Sequence, residues 1–435
     1  MRARQVDPVE WTEALLERID KIEPTVKAWV HLDREGARRT ARERAAQAAA
    51  GAFVGPLHGV PVALKDIFDV AGMPTRAGAN AFAHRQPGTD AASVARLRAA
   101  GAVILGKVTT TTFALMDPSP TPNPWNAEHT PGGSSSGSAA AVGARMVPLA
   151  LGSQTVGSVL RPAAYCGVVG FKPTHGRISA AGVVPLSWSN DHVGIFARAV
   201  EDVALTLQIL AGPDRADPLS VPHPVDDYLA GLGAGPGPAP RIGVLRALVE
   251  RAAPENVEHL SEVMRRLAAA GAALSDVPLP SSFAGLHDSG QVVVRAEAAA
   301  YHAPNFPRLA EEYPPKIREA LTVGQGIRAV DFLAARGHLR RFRDEMAPTA
   351  LRYDALLTPT APGPAPRGLE STGDPYFCAP WSHAGMPSIA LPSGIAREGL
   401  PLSLQLVGGV FAEARLLGAA AWCESVLDFR EAPRV

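Results

Sequence analysis

The chain has 435 residues, of which 46% are hydrophobic and 19% charged, with 42 Lys+Arg set against 42 Asp+Glu. That length supplies a large buried core. The zero formal net charge excludes the broad cationic field of a nucleic-acid binder or of a protein drawn to anionic membranes. Cys166, Cys378 and Cys423 show neither CxxC nor Cys/His spacing, so no disulfide framework or metal site is read and buried thiols in a reducing compartment are expected. The N-terminus "MRARQVDPVEW" has no apolar leader region, and no unbroken apolar run of about 18 residues occurs, so a cytoplasmic chain without a membrane span is expected.

In chain order, Asp7 as N-cap, Pro8 at the first helical position and Trp11, Leu15, Ile19 and Ile22 at helical spacing predict a helix that Pro24 stops. A polar, Ala-rich helix follows over 33–50. "HGVPVALKDIFDV" (58–70) reads as a β-branched strand entering a loop, 90–100 as a helix and "AVILGKV" (102–108) as a buried parallel-type strand. "SAAAVGARM" is a helix, "VPLALGSQT" a strand running into a loop, "GVVGFKPT" (167–174) a short strand and 199–212 a helix. A Pro/Gly-rich seam occupies 231–245. Helices at about 255–271, 313–321 and 328–350 then alternate with apolar strands "DALLTPT" and "PSIALPSGI". The short basic stretch "RGHLRRFR" (336–343) is a solvated helix face. Alternation of this kind gives a mostly parallel or mixed sheet covered on both faces, in one domain.

The residues that invite chemistry begin at "PGGSSSGS" (131–138), which would pass for a linker were it not flanked by patterned apolar sequence. It lacks the Lys of a phosphate-binding P-loop. Gly133-Ser134-Ser135-Ser136-Gly137 fits G-x-S-x-G, but the preceding "NPWNAEHTP" is a polar loop and not the buried strand that a nucleophile elbow requires. A second Gly/Ser cluster, "GSQTVGSVLRPAAYCG" (152–167), also leads from a strand towards a helix start. Turns of this type gather backbone N–H groups around an oxyanion. A serine nucleophile needs a proton acceptor. His129 and His175 flank the clusters, leaving a Ser-His pair open, and Lys65 in "PVALKDIFDV" serves if burial lowers its pKa; taken alone, a lysine at a strand end is more often a solvated charge.

The blocks "GPLHGVPVALKDIFDVAGMPTRAGA", "TPGGSSSGSAAAVGARMVPLALGSQTVGSVLRPAAYCGVVGFKPTHGRIS", "DALLTPTAPGPAP", "HAGMPSIALPSGI" and "GLPLSLQLVG" resemble, in order and over most of the chain, the amidase signature family. With Gln154 where many members carry Asp, the second cluster is similar to the malonamidase-like branch. The resemblance implies a three-layer α/β/α fold with a large mixed central sheet and an N-terminal helical arm. It implies one domain over 1–435: arm 1–55, catalytic core 56–212, helical insertion 213–350 and C-terminal part of the sheet 351–435. It also implies a Ser-cisSer-Lys triad of Ser158 as nucleophile, Ser134 as bridging serine on a cis peptide and Lys65 as base. The oxyanion hole would be the N–H groups of Thr155, Val156, Gly157 and Ser158. Substrate contacts would come from Arg161, Gly133 and Ser135, with Ser135 and Ser153 hydrogen-bonding within the two loops.

Two departures bear on the pocket: Val156 where glycine is usual, which would be strained if φ there were positive, and Ser382 in "PWSHAG" where members often carry Asn. Arg161 has two readings, a carboxylate binder or a structural salt bridge to Asp191 or Glu297. The expected reaction is cofactor-free hydrolysis of a short carboxamide, which can also bear a carboxylate, in a small dry site. The alternative is the ammonia-releasing component of an amidotransferase or another partner-dependent amidase. The partners expected are a small-molecule amide and either a second copy of the chain or a small protein, with no nucleic acid.

Overall fold

The computed structural model describes residues 1, 5–230, 232 and 237–435; residues 231 and 233–236, at the start of the expected Pro/Gly-rich seam, lie outside the described residues. Strands β1 (Trp29–Leu32), β2 (Pro61–Lys65), β3 (Val103–Val108), β4 (Leu149–Gln154), β5 (Val169–Lys172), β6 (His192–Ala197), β7 (Arg241–Val244), β8 (Ala273–Asp276), β9 (Ala355–Pro359), β10 (Ser388–Ile395) and β11 (Pro401–Val407) form one sheet. Their spatial order is β1-β3-β2-β4-β6-β5-β10-β11-β9-β7-β8. β2 runs parallel to both β3 and β4, and β7 parallel to both β8 and β9, while β4, β6, β5, β10, β11 and β9 pair antiparallel in succession. The sheet is therefore mixed, as expected.

Alternate residues of the central strands feed two separate cores, which is what period-2 side-chain geometry requires of a sheet buried on both faces. Val62, Leu64, Leu149 and Leu151 pack with Val94, Leu97, Val203 and Leu416 from helices Ala92–Ala99, Val200–Leu210 and Glu413–Leu427. On the opposite face, Ala63 and Ala150 pack with Ile19, Ala139–Val142, Leu160 and Ala163 from helices Pro8–Val26, Ser136–Gly143 and Leu160–Cys166. The second group is small-residue-rich, so these helices lie close to the sheet and bring the two Gly/Ser loops down to the end of β2.

Several elements differ from the expectation. Helix Pro8–Val26 continues through Pro24 and ends on a left-handed Lys27, whose N–H bonds the Glu23 carbonyl. The Glu23 carboxylate accepts the Ala28 and Trp29 N–H groups, 3.0 and 2.8 Å away, completing the exit that proline was expected to force earlier. β2 covers only five residues of the expected 58–70. The arm's two helices, Pro8–Val26 and Arg34–Ala49, flank β1, which pairs antiparallel to β3 and ties the arm into the sheet.

Candidate active site

β2 is buried throughout, and Lys65 at its C-terminal end is fully inaccessible. Its Nζ lies 2.7 Å from Ser134 Oγ and 2.9 Å from Ser153 Oγ. Burial drives its pKa from the ordinary 10.5 down to about 7, opposed only by the charge of Asp191. No carboxylate among the described residues bonds it, so the neutral amine is accessible near neutral pH.

The Gly133–Ser134 peptide is cis. A Cβ on Gly133 would meet Thr372 Cγ2 at 2.6 Å, so glycine is needed where the 372–375 segment closes over the loop. The serines beyond it start the helix Ser136–Gly143 and stitch it down. Ser136 Oγ donates to the Gly132 carbonyl (2.8 Å), Ser138 Oγ to that of Leu151 (3.0 Å) and Ser135 Oγ to that of Ser153 (3.2 Å). Ser135 Oγ also accepts the Ser153 N–H at 3.3 Å. The two clusters thus share a network centred on Lys65, and "PGGSSSGS" is packed structure.

The second cluster follows β4. Gln154 Oε1 accepts the N–H groups of Val159 (2.8 Å) and Leu160 (2.9 Å), satisfying two donors where the helix Leu160–Cys166 begins. Gln154 Nε2 donates to Ser382 Oγ at 2.9 Å, and Ser382 Oγ donates in turn to the Val156 carbonyl at 3.0 Å. The two departures noted in the sequence, Ser382 and Val156, are therefore joined through Gln154, and Val156 is not among the residues with positive φ. Gly157 passes so close to Pro375 that a Cβ would meet its Cβ at 2.9 Å. The N–H groups of Val156, Gly157 and Ser158 have no acceptor among the described residues. Thr155 Oγ1 donates to Asp191 Oδ1 at 2.5 Å, and Asp191 Oδ2 accepts the Leu186 and Ser187 N–H groups. Burial raises the Asp191 pKa to about 6.

Ser158 is nearly buried and lines a cavity of about 360 Å³, together with Thr155, Val156, Gly157 and Arg161. The cavity lies at the lower end of small-molecule sites, and Arg295, Lys316 and Glu370 also line it. Ser158 and Ser134 hydroxyls are not hydrogen-bonded to each other; the loops join through the Ser135 N–H and the Ser158 carbonyl, 3.3 Å apart.

Arg161 makes neither of the salt bridges expected for it. Its guanidinium donates to the carbonyls of Gly373 (2.9 Å) and Gly133 (2.6 Å) and to Thr372 Oγ1 (2.9 Å), and burial lowers its pKa. Asp191 is held by the Thr155 loop, and Glu297 accepts from Ser187 Oγ, the Ser189 N–H and Ser189 Oγ. Carbonyl acceptors replace the carboxylate because the 133 and 373 loops converge on Arg161, and sequence carries no sign of that convergence. The Ser-His pairing left open is absent: His129 Nδ1 bonds the Ala365 carbonyl and His175 Nε2 that of Trp188.

The amidase family model matches residues 10–417. The chain belongs to the amidase signature family. It is 35% identical to a glutamyl-tRNA(Gln) amidotransferase subunit from Geobacter sp. (strain M21), over 97% of this chain and 94% of that protein. Among solved structures, a chain described with a vestigial protein complex and the origins of an s-triazine catabolic enzyme superposes with a TM-score of 0.91 at 29% identity, covering 99% of this chain and 97% of that one. Native peptide amidase from Stenotrophomonas maltophilia superposes with a TM-score of 0.86 at 31% identity, over 100% of this chain and 96% of that one. Membership makes the protein an enzyme of amide C–N bond hydrolysis. No described helix is long and apolar enough to cross a membrane.

The sequence reading missed the helix Leu286–His302, whose Gln291, Val294 and Arg295 line the cavity, and the segment around 370–375, which lines it beside Gly157 and Arg161. The helical spacing of Leu286, Val293 and Val294 was the available signal, obscured by buried Gly290 and Glu297 on the same element.

Proposed function

We propose that the protein hydrolyses the C–N bond of a small carboxamide through an acyl-enzyme on Ser158, with Ser134 and Lys65 relaying the proton. The observation that carries this reading is a buried lysine with its pKa lowered to about 7, whose hydrogen-bond partners among the described residues are the hydroxyls of Ser134 and Ser153. Neutral Lys65 takes the Ser134 proton as Ser134 takes that of Ser158, and Ser158 Oγ attacks the amide carbon. The Ser134–Ser158 link closes in the reacting complex, where such hydrogen bonds tighten. The N–H groups of Thr155, Val156, Gly157 and Ser158 receive the carbonyl oxygen as it becomes an oxyanion; three of these have no competing acceptor among the described residues. The relay then runs back to protonate the departing ammonia or amine. Water deprotonated by the same route attacks the acyl-enzyme, giving the carboxylic acid and restoring the Ser158 hydroxyl. Gly133 and Ser135 hold the relay serine in place, and Arg161 fastens the 133 loop to the 372–373 segment. Ammonia release from a panel of small amides is expected from the wild type and to vanish in Ser158→Ala; equal release by both would remove Ser158 from the role.

A second reading, favoured by the amidotransferase component and the complex-derived chain among its relatives, keeps this chemistry within an assembly with a small protein or a second copy of the chain. Co-purification from the native host tests it: an obligatory second chain supports the assembly, and full activity of the isolated monomer excludes it.

A further inference from the structure

We propose that Arg295 reads an anionic group, foremost a carboxylate, on the substrate, so that the preferred amides are ω-carboxy amides; this rests on Ser158 being the site of amide cleavage. The catalytic cavity is walled by three cationic side chains, Arg161, Arg295 and Lys316, and one carboxylate, Glu370. They are not equivalent. Arg161 commits both terminal nitrogens to Gly133, Gly373 and Thr372 and keeps only a buried Nε–H without a partner among the described residues, so no terminal pair of donors is left to grip a carboxylate side-on. Lys316 Nζ is tied to the Glu370 carbonyl at 2.8 Å, and Glu370 itself is exposed at the rim, where water screens its charge. Arg295 is half-buried, and its guanidinium has no hydrogen bond or ion pair with any described residue.

With no protein acceptor among the described residues, the Arg295 fork stays available to a ligand in the cavity, and its planar geometry suits a carboxylate better than any neutral group does. Its backbone is rigidly placed. Gly324, on the helix Pro315–Gln325, approaches so closely that a Cβ there would meet the Arg295 carbonyl at 2.1 Å, fixing the helix Leu286–His302 against its neighbour. Gln291 lies one turn earlier on the same wall, exposed to solvent and with no protein partner for its amide among the described residues. This places it to accompany Arg295 on the anion. The scissile amide would sit at Ser158 and the anion across the cavity.

The test compares malonamate, succinamate, glutaramate and adipamate with the neutral amides of matching length, in wild type, Arg295→Ala and Arg295→Lys, with circular dichroism to confirm folding. Wild type is expected to favour one carboxylated chain length. In Arg295→Ala the ratio of kcat/KM for that amide to kcat/KM for its neutral match falls roughly 10- to 100-fold, mostly through KM, and Arg295→Lys recovers part of it. An unchanged ratio, or wild-type preference for neutral amides, overturns the proposal. Calorimetry separates this from failure of the cleavage reading. Binding of the same amides to Ser158→Ala that is lost in Ser158→Ala/Arg295→Ala supports Arg295 even without turnover, and equal binding, or none, to both proteins overturns it.

Discussion

Lys65 and Lys107 stand side by side in the sheet: β2 and β3 are parallel neighbours, with Lys65 opposite Val108 and Leu64 opposite Lys107. Both side chains are fully buried, and burial lowers both pKa values. Their partners differ. Lys107 Nζ donates to Asp66 Oδ1, the Pro74 carbonyl and Thr75 Oγ1, each at 3.0 Å, so its three protons are satisfied and its charge is balanced by a carboxylate. Lys65 has two hydroxyls and, among the described residues, no bonded acid. Depth alone therefore does not make a lysine a base; the company it keeps does. The first arrangement pairs the lysine with a carboxylate and pins the 66–76 loop. The second lets the proton leave near neutral pH and gives it a hydroxyl to come from.

The sharpest way to break this contrast is to truncate each lysine. Lys65→Ala is expected to lower kcat by about 10²–10⁴-fold while the protein stays folded; near-wild-type turnover would remove Lys65 from the relay. Lys107→Ala leaves Asp66 buried and unpaired, and should cost about 3–5 kcal/mol of stability in chemical denaturation. Turnover per folded molecule should be largely kept; a stability loss no greater than at an exposed lysine would contradict the structural assignment. Gln154→Ala leaves the Val159 and Leu160 N–H groups without their acceptor, at about 1–3 kcal/mol. Because those donors adjoin Ser158, turnover should fall as well, and urea midpoints read beside kcat test both effects. The smallest effect belongs to Asp191→Asn. Asp191 is the one charge holding the Lys65 pKa up, so its removal lets that pKa drop further and moves the acidic limb of the kcat/KM profile to lower pH. A limb that stays in place or moves up would deny the coupling.

Much of this is legible from sequence because local rules and global fold agree there. The alternation that feeds two cores, the buried parallel strand over 103–108 and the Gly/Ser loops adjoining helices all follow from pattern. The Lys65–Ser134–Ser158 grouping is visible only through the motifs, since strand-end lysines considered singly are usually solvated. What escapes is long-range. Arg161 finds its acceptors on residues 133, 372 and 373, and no local pattern announces that the second segment folds back 211 positions away. Pro24 is a local exception: the helix runs on to Val26, and the neighbouring Glu23 carboxylate completes the exit by accepting the Ala28 and Trp29 N–H groups. The helix Leu286–His302 hides its periodicity behind a buried glutamate that serves Ser187 and Ser189, and Arg295 is hidden with it.

The central claim is that neutral Lys65 activates Ser158 through Ser134. Its most direct test is the pH dependence of covalent labelling by a fluorophosphonate, with the modified residue located by peptide mapping. The adduct is expected on Ser158. Its rate of formation should rise about tenfold per pH unit and level off near pH 7, because only the unprotonated lysine accepts the proton. In Lys65→Met the rise should disappear and labelling should slow sharply. An adduct on Ser135, or the same rate and pH profile in Lys65→Met as in the wild type, would contradict the account.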